Sequence, residues 1–338
     1  MQKFKNLPEI SKKSLQYLKK GKNLLAFSGG VDSSSLFFIL LAHKIDFDLA
    51  IVDYNTREES KKEVAYAKEL SKKYDKTIYL KNIKIKDKNF EHNARKVRYN
   101  FFEEIIYMNN YNNLITAHQL DDKLEWFLMQ FAKGAGLIEL IGFDEIRIRE
   151  KYTLIRPLIE HSKDELKNFL QANSIKYFID KSNKDKSYKR NYFRETYSAK
   201  FLKEHKSGIV NSFKYLQNDK KRVFKLENIK NFKKLYIFEN FPDDLKNIRT
   251  IDIILKKLDY VLSKSQRDEI LKVKNVVISN KYVVAFAKDK IYISPFCNVK
   301  MDKKFKEACR IRKIPQKIRP YLYTEKISPS FFDVFISS

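Results

Sequence analysis

Two short stretches carry side chains whose types and spacing suit chemistry. The first, Ser28-Gly29-Gly30-Val31-Asp32-Ser33, lies between the apolar runs Leu24-Leu25-Ala26-Phe27 and Leu36 to Leu41. A strand that turns within two glycines into a helix leaves backbone N–H groups unpaired and aimed at one spot, where the helix dipole is also positive. Those donors and the serine hydroxyls suit a phosphate or pyrophosphate, and glycine, lacking a Cβ, lets an oxyanion come close. The second stretch is His118-Gln119-Leu120-Asp121-Asp122-Lys123-Leu124-Glu125. Asp121 and Glu125 are one helical turn apart and share a face, with Asp122 in the same first turn and His118 three residues ahead. Such a group can hold Mg2+, bind an ammonium ion or take a proton from an amine. An ordinary helix start explains two of the three acids, because the dipole favours them, but not the histidine.

Two arginine pairs follow the same logic. Arg95 and Arg98 share a helix face and suit two phosphate contacts or bidentate pairing, a solvated basic face being the competing reading. Arg190 and Arg194 are again one turn apart, with Asn191 between them and Tyr188, Tyr192 and Phe193 interleaved. Aromatics among cations suit RNA, whereas a core-facing aromatic stripe is the alternative. Other phosphate-binding patterns are excluded. Gly21-Lys22 has no upstream glycine for a Walker-type loop, and Gly134-Ala135-Gly136 is followed by Glu139 where a dinucleotide fingerprint needs glycine.

These residues need a scaffold, and the chain alternates strand and helix patterns. Strands are predicted at Leu24–Phe27, Phe47–Tyr54, Thr77–Lys81 and Asn113–Thr116. Helices are predicted from Leu36, over Ser60–Tyr74 with Ser60 and Glu63 as a capping box, over Glu91–Met108 and over Asp121–Ala132. The alternation implies an α/β fold with a doubly wound parallel sheet and ligands at the carboxyl ends of its strands. Ser28 and His118 then share one crevice although far apart in sequence. Beyond Ile155 come a second capping box, Ser162 and Glu165, and a basic helical stretch from Arg194 to about Leu226. Phe238–Ile248 reads as a linker. From Thr250 a small α+β unit is expected, with strands at Val276–Ser279, Tyr282–Ala287 and Ile291–Ser294 and a last helix over Phe305–Arg312. The predicted division is 1–195 for the catalytic domain, 196–248 for a helical basic region and linker, and 249–338 for the small domain.

The charge is lopsided: 69 Lys and Arg against 42 Asp and Glu give +27 over 338 residues. A polyanionic partner is the physical reading, nucleic acid ahead of a membrane surface. The excess is clustered at Lys181–Lys206 and at Lys300–Arg319, where Lys313, Lys317 and Arg319 are candidates for backbone phosphates. Cys297 and Cys309, the only cysteines, form neither a CxxC pair nor a zinc set. No apolar run approaches a membrane span and the start has no apolar signal core, so a soluble, cytoplasmic protein is expected.

The first motif resembles the SGGxDS signature of the PP-loop ATP pyrophosphatases, and the likeness extends along most of the chain. The ordered set is similar to that of the tRNA(Ile)-lysidine synthetase family. Val52 to Arg57 stands in place of VDHGLR, Ala94 to Tyr99 fits ARxxRY, and His118 to Glu125 fits HxxDDxxE. Lys133 to Leu137 replaces RGSGL, Ile155 to Leu158 contains RPL, and Asp180 to Arg194 fits DPSNxDxxYxRNxxR. Phe305 to Tyr321 is similar to the family's C-terminal segment. Tyr54 stands where the family usually has His, Trp126 where it has Thr, and Lys181 where it has Pro. The resemblance implies a PP-loop (adenine nucleotide α-hydrolase-like) domain. It also implies ATP-dependent ligation of free L-lysine to the wobble cytidine of the CAU-anticodon isoleucine tRNA, with release of pyrophosphate and AMP. A homodimer is one option and no membrane partner is implied. Ser28, Gly29, Gly30, Val31, Asp32, Ser33 and Asp53 would bind ATP, with Asp32 near Mg2+. Arg95, His118, Asp121, Asp122 and Glu125 would join Asp32 in the catalysis. Arg98, Arg190, Asn191 and Arg194 would meet tRNA or phosphate, with Arg95, Arg190 and Arg194 offsetting its charge. Which carboxylate meets lysine, metal or proton stays open.

Overall fold

Leu24 and Leu25, neighbours in sequence, point to opposite faces of one strand, and each face builds its own apolar layer. The computed structural model describes residues 4–54, 58–83, 90–179, 189–223 and 228–335. The chain divides into two units, Met1–Lys220 and Lys221–Ser338, each with its own apolar clusters.

In the first unit come α1 (Lys12–Lys20), β1 (Asn23–Ala26), α2 (Val31–Ala42), β2 (Asp48–Asp53), α3 (Glu58–Lys73), β3 (Ile78–Asn82), α4 (Phe90–Asn109) and β4 (Asn113–Ile115). Next are α5 (Leu120–Phe131), α6 (Leu137–Ile141), β5 (Ile146–Ile148), β6 (Thr153–Ile155) and α7 (Lys163–Ala172). The series ends with α8 (Lys189–Phe193), one π-helical turn over Arg194–Ser198, and α9 (Ala199–Val223). The sheet order is β3-β2-β1-β4-β6-β5, parallel except for β5, which runs antiparallel on the edge. The winding therefore reverses between β1 and β4, and loops leaving those two strands diverge and open a crevice at their carboxyl ends.

Helix α2 is apolar on all sides, as a helix sunk in a core must be, and Leu36 to Leu40 are all buried. The Ser35 hydroxyl donates to the Leu166 carbonyl at 3.2 Å, tying α2 to α7. On the other face, Phe101, Phe102, Ile105 and Ile106 of α4 cover Leu24, Ala50, Leu114 and Leu154. The Ser162–Glu165 capping box forms as predicted and starts α7. Ser60 does not cap α3, which already begins at Glu58. The stretch expected as one helix from Arg194 opens with the π-helical turn, and α9 is interrupted at His205, whose φ is −130°.

The second unit contains β7 (Lys230–Phe232), β8 (Leu235–Glu239), α10 (Asp244–Lys257), α11 (Lys264–Val273), β9 (Asn275–Ile278), β10 (Tyr282–Phe286), β11 (Lys290–Pro295), α12 (Lys303–Ile311), α13 (Arg319–Thr324) and α14 (Phe331–Phe335). Its sheet, ordered β7-β8-β11-β10-β9, is antiparallel throughout. Side chains alternate faces along each strand. Leu235, Ile237, Val283, Ala285 and Tyr292 pack with Cys309, Ile318 and Leu322, while Phe238, Val284, Ile291 and Ile293 pack with Ile251, Leu255 and Ile270. Phe238–Ile248 is accordingly no linker. Phe238 is a core residue of β8, and the buried Asn247 amide donates to the Phe241 carbonyl at 2.8 Å while accepting its N–H at 3.0 Å, which fixes the turn at Pro242. The region expected over 196–248 thus splits, α9 up to Lys220 lying with the first unit and β7 and β8 with the second.

Candidate active site

The loop after β1 is braced before it reaches α2. Gly29 has a φ of +73°, left-handed backbone that favours glycine, and a Cβ there would lie 3.3 Å from the Phe178 ring. The Gly29 carbonyl accepts the Phe178 N–H at 2.9 Å, and Gly30 and Phe178 form an isolated parallel bridge. Gly30 is extended (φ −75°, ψ 175°) and starts α2 with no side-chain cap, so the first-turn N–H groups keep no side-chain acceptor. The Ser33 hydroxyl instead accepts from the Ser28 N–H at 3.2 Å and lies 3.0 Å from the Ser28 hydroxyl. Val31 is buried beneath the loop. Asp32 Oδ1 and Ser34 Oγ are buried with no hydrogen-bond partner among the described residues. Burial, with Asp122 and Asp121 adding to it against Lys163, pushes the Asp32 carboxyl up to about 7. A helix start without a cap and a buried carboxylate without a partner have the make-up of a site for a phosphate and a cation.

The carboxylates of α5 share this crevice. Gln119 and Asp122 form a capping box at its start, and the Asp121 carboxylate accepts the Lys163 N–H at 2.9 Å, so it also serves the first turn of α7. Burial raises the Asp121 carboxyl to about 6, with Glu125 and Asp122 adding to the rise and the Lys163 N–H opposing it. Glu125 is fully buried and held on both oxygens. Arg190 Nε reaches Oε2 at 2.7 Å, and Arg194 donates through Nε to Oε1 at 2.6 Å and through Nη2 to Oε2 at 3.1 Å. Arg190 also donates to Asp122 at 2.5 Å, and the buried Asn191 accepts from Arg194 at 3.3 Å. Arg190, Asn191 and Arg194 therefore turn inward onto the α5 acids.

His118 closes the other side. Its Nδ1 lies 2.9 Å from the Thr116 hydroxyl and its ring is 5.1 Å from that of Phe143. Burial first, then Arg156 and Arg95, hold its pKa well below the usual value, so the ring is neutral at physiological pH. Arg95 and Arg98 lie on α4, Arg95 exposed and its pair one turn along. Arg98 donates to the Tyr54 hydroxyl at 3.2 Å, which donates to the Ala94 carbonyl at 3.0 Å, so tyrosine in place of histidine ties the end of β2 to α4. Asp53 is the buried last residue of β2. Asn55, Thr56 and Arg57, and Asp180 to Tyr188, lie outside the described residues. Trp126 donates to the Glu139 carbonyl at 2.7 Å. Phe178 and Lys163 went unmarked in the sequence because one acts through its backbone and ring, the other through its N–H and its charge on Asp32. In the second unit Lys317 donates to the Asn275 carbonyl at 2.7 Å, while Arg319 donates to the Ile314 carbonyl at 2.9 Å.

The PP-loop domain family matches residues 3–200. A tRNA(Ile)-lysidine synthase of Campylobacter jejuni is 44% identical over 324 residues, 95% of this chain and 98% of the relative. That match, running over both units, is decisive. The chain belongs to the tRNA(Ile)-lysidine synthase family. Other members of that family are similar at nearly full length: the protein of Wolinella succinogenes is 42% identical over 90% of this chain and 94% of its own. That of Helicobacter pylori is 40% identical over 93% of each. The uncapped start of α2 at Gly30 lies within the stretch that the PP-loop domain family matches.

Proposed function

We propose that this enzyme ligates free L-lysine to the wobble cytidine of the CAU-anticodon isoleucine tRNA, using ATP and releasing pyrophosphate and AMP. The observation that carries the site reading is the uncapped N-terminus of α2 beside a partnerless Asp32 oxygen, facing the α5 carboxylates at the switch point of the sheet. The N–H groups that follow Gly30 hold the phosphates of ATP, and the buried end of β2 at Asp53 borders the nucleotide.

Among the described residues no three His, Cys, Asp or Glu side chains gather as a metal site. Mg2+ needs fewer, since it keeps waters and takes most of its other ligands from phosphates, and the partnerless buried Asp32 oxygen fits it. When bound there, Mg2+ would neutralise charge on the pyrophosphate leaving group. The cytosine O2 attacks the α-phosphorus and pyrophosphate leaves. Arg95 offsets the charge that develops on the α-phosphate, while the neutral His118 hydrogen-bonds the base and orients it. The lysine ε-amine, with a pKa of roughly 10.4, arrives protonated. Asp121 is suited to take that proton, because burial brings its own pKa to about 6 and one of its oxygens is not used by Lys163. The free amine then attacks C2 and AMP leaves. Glu125 and Asp122 have their oxygens on Arg190, Arg194 and the α5 cap, so they act by positioning. Arg98 and the exposed lysines supply contacts to the tRNA backbone. ATP, lysine and tRNA meet in the cytoplasm, and among the described residues no helix is long and apolar enough to cross a membrane.

The test follows labelled lysine into the isoleucine tRNA and AMP release in parallel. Both should require ATP, lysine and tRNA together, and Asp32→Ala should abolish them with tRNA affinity kept within about twofold. Gly30→Val probes the phosphate loop better than Gly29→Val. The Gly30 backbone accepts any residue and a Cβ there meets nothing closer than 3.6 Å, whereas Gly29 would be strained in any case. ATP binding that survives Gly30→Val would remove the phosphate-loop assignment.

A further inference from the structure

Arg190 and Arg194 turn in toward Glu125, and residues two apart on a helix point to nearly opposite sides, so Tyr192 between them faces out. It is 43% exposed. Five residues on, Tyr197 would leave that side of an α-helix. The π-helical turn over Arg194–Ser198, closed by the Ala199 N–H on the Arg194 carbonyl, brings it back. The two rings meet edge to face with centroids 5.9 Å apart and hydroxyls 3.5 Å apart. Phe193 flanks both, at 6.1 and 5.4 Å. Beyond the turn, Phe201 and His205 follow at four-residue steps, their ring centroids 5.1 Å apart. Tyr197 and Phe201 are 48% and 46% exposed, and His205 is exposed as well. The exposed Lys189, Lys200 and Lys203 stand along the same segment.

We propose that Tyr192, Tyr197 and Phe201 form a stacking ladder for unpaired bases of the substrate RNA, those that flank the cytidine entering the crevice. This rests on the reading of the reaction above. The two sides of the segment then have separate tasks: arginines hold the α5 carboxylates inside, and rings hold RNA outside. A base that reacts at O2 must leave the stack of its loop, and its neighbours lose a stacking partner that aromatic side chains can replace. The thickness of one helix, about 10 Å, separates the ladder from Glu125, so bases stacked on it neighbour the one in the crevice. The composition of the face favours nucleic acid over protein. Leu202 is the only aliphatic side chain larger than alanine's between Lys189 and Lys206, and it is buried. The lysines beside the rings suit the phosphates between stacked bases, whereas a second copy of a +27 chain would bring like charge to them.

Leucine keeps apolar bulk and removes the ring face, so Tyr197→Leu and Phe201→Leu are the variants, with Phe201→Trp as the enlarged ring. Each leucine should weaken binding of the isoleucine tRNA about tenfold, and the tryptophan should bind at least as tightly as wild type. The slope of log affinity against log salt should not change, because no phosphate contact is lost. A single-stranded RNA of about ten nucleotides should show the same loss. An RNA duplex, whose base faces are already stacked, should bind wild type and variants alike. The KM for ATP and for lysine and the melting temperature should hold, since the rings are exposed. Unchanged tRNA affinity in both leucine variants, equal loss on the duplex, or a flatter salt slope would each overturn the ladder. So would an altered oligomeric state with RNA binding intact, which would assign the face to a second copy. Should the wild type form no lysidine, the reaction reading fails, while affinity for the single-stranded RNA still judges the ladder.

Discussion

Lys123 and Glu125, two residues apart on α5, are both buried and ionisable, and their surroundings treat them differently. Lys123 has the Phe213 ring under its ammonium, at 4.5 Å, and burial lowers its pKa to about 8 against the weaker pull of Asp144 and Glu160. Between that value and the unfolded value of roughly 10.4, the unfolded chain holds a proton that the folded one has lost, so stability rises with pH by at most about 1.4 kcal/mol per unit. Lys123→Met should stabilise the protein at pH 7 by about 2 kcal/mol, and the gain should shrink from pH 8 to pH 10 in urea unfolding. A constant gain would mean the lysine is solvated. Glu125 is the opposite case, saturated by two guanidiniums. Removing one charge of such a buried pair costs about 3 kcal/mol or more, so Glu125→Gln should lower the melting temperature and quicken amide exchange over Arg194–Ser198. It should depress kcat for lysine and ATP use alike. A raised KM for lysine with stability intact would restore Glu125 as the amine's own partner.

At the scale of elements, Trp126 and the end of α6 form a close fit. Gly142 follows α6 with a φ of +64°, and a Cβ on it would come within 2.4 Å of the Trp126 indole. Gly142→Ala should cost about 3 kcal/mol, and Trp126→Thr should recover part of that in a double-mutant cycle. Additive effects would mean that strain alone is at work. What could be read ahead of the structure was local. Leu24–Phe27 and Leu49–Val52 are continuous apolar runs, as buried parallel strands are, and the loop and the α5 acids are each contiguous. The strands β5 and β7 could not be read: Ile146-Arg147-Ile148 and Lys230-Asn231-Phe232 are three-residue edges, too short to show a period. Nor could the inward turn of Arg190 and Arg194, since their bonds to Glu125 span 65 and 69 residues with no local pattern to mark them. Charge alone made them look like surface cations for RNA.

For the whole molecule, the +27 charge makes tRNA affinity a matter of released counterions. Lys313→Ala with Lys317→Ala should flatten the plot of log affinity against log salt by roughly 0.7 to 0.9 for each phosphate no longer neutralised, for cognate and non-cognate tRNA alike. Arg319 is better left in place, because it is half-buried and holds the Ile314 carbonyl, whereas Lys317 is exposed although its ammonium meets the Asn275 carbonyl. An unchanged slope would assign the Lys300–Arg319 charge to solvent. Among the described residues, each of the two units has apolar clusters of its own. Heat should therefore not melt this protein in a single all-or-none step. A calorimeter should resolve two endotherms, of which ATP moves only the one belonging to Met1–Lys220, by mass action on its folded form. A single melting temperature would then be a poor summary of any variant, and each substitution would have to be judged on the transition of its own half.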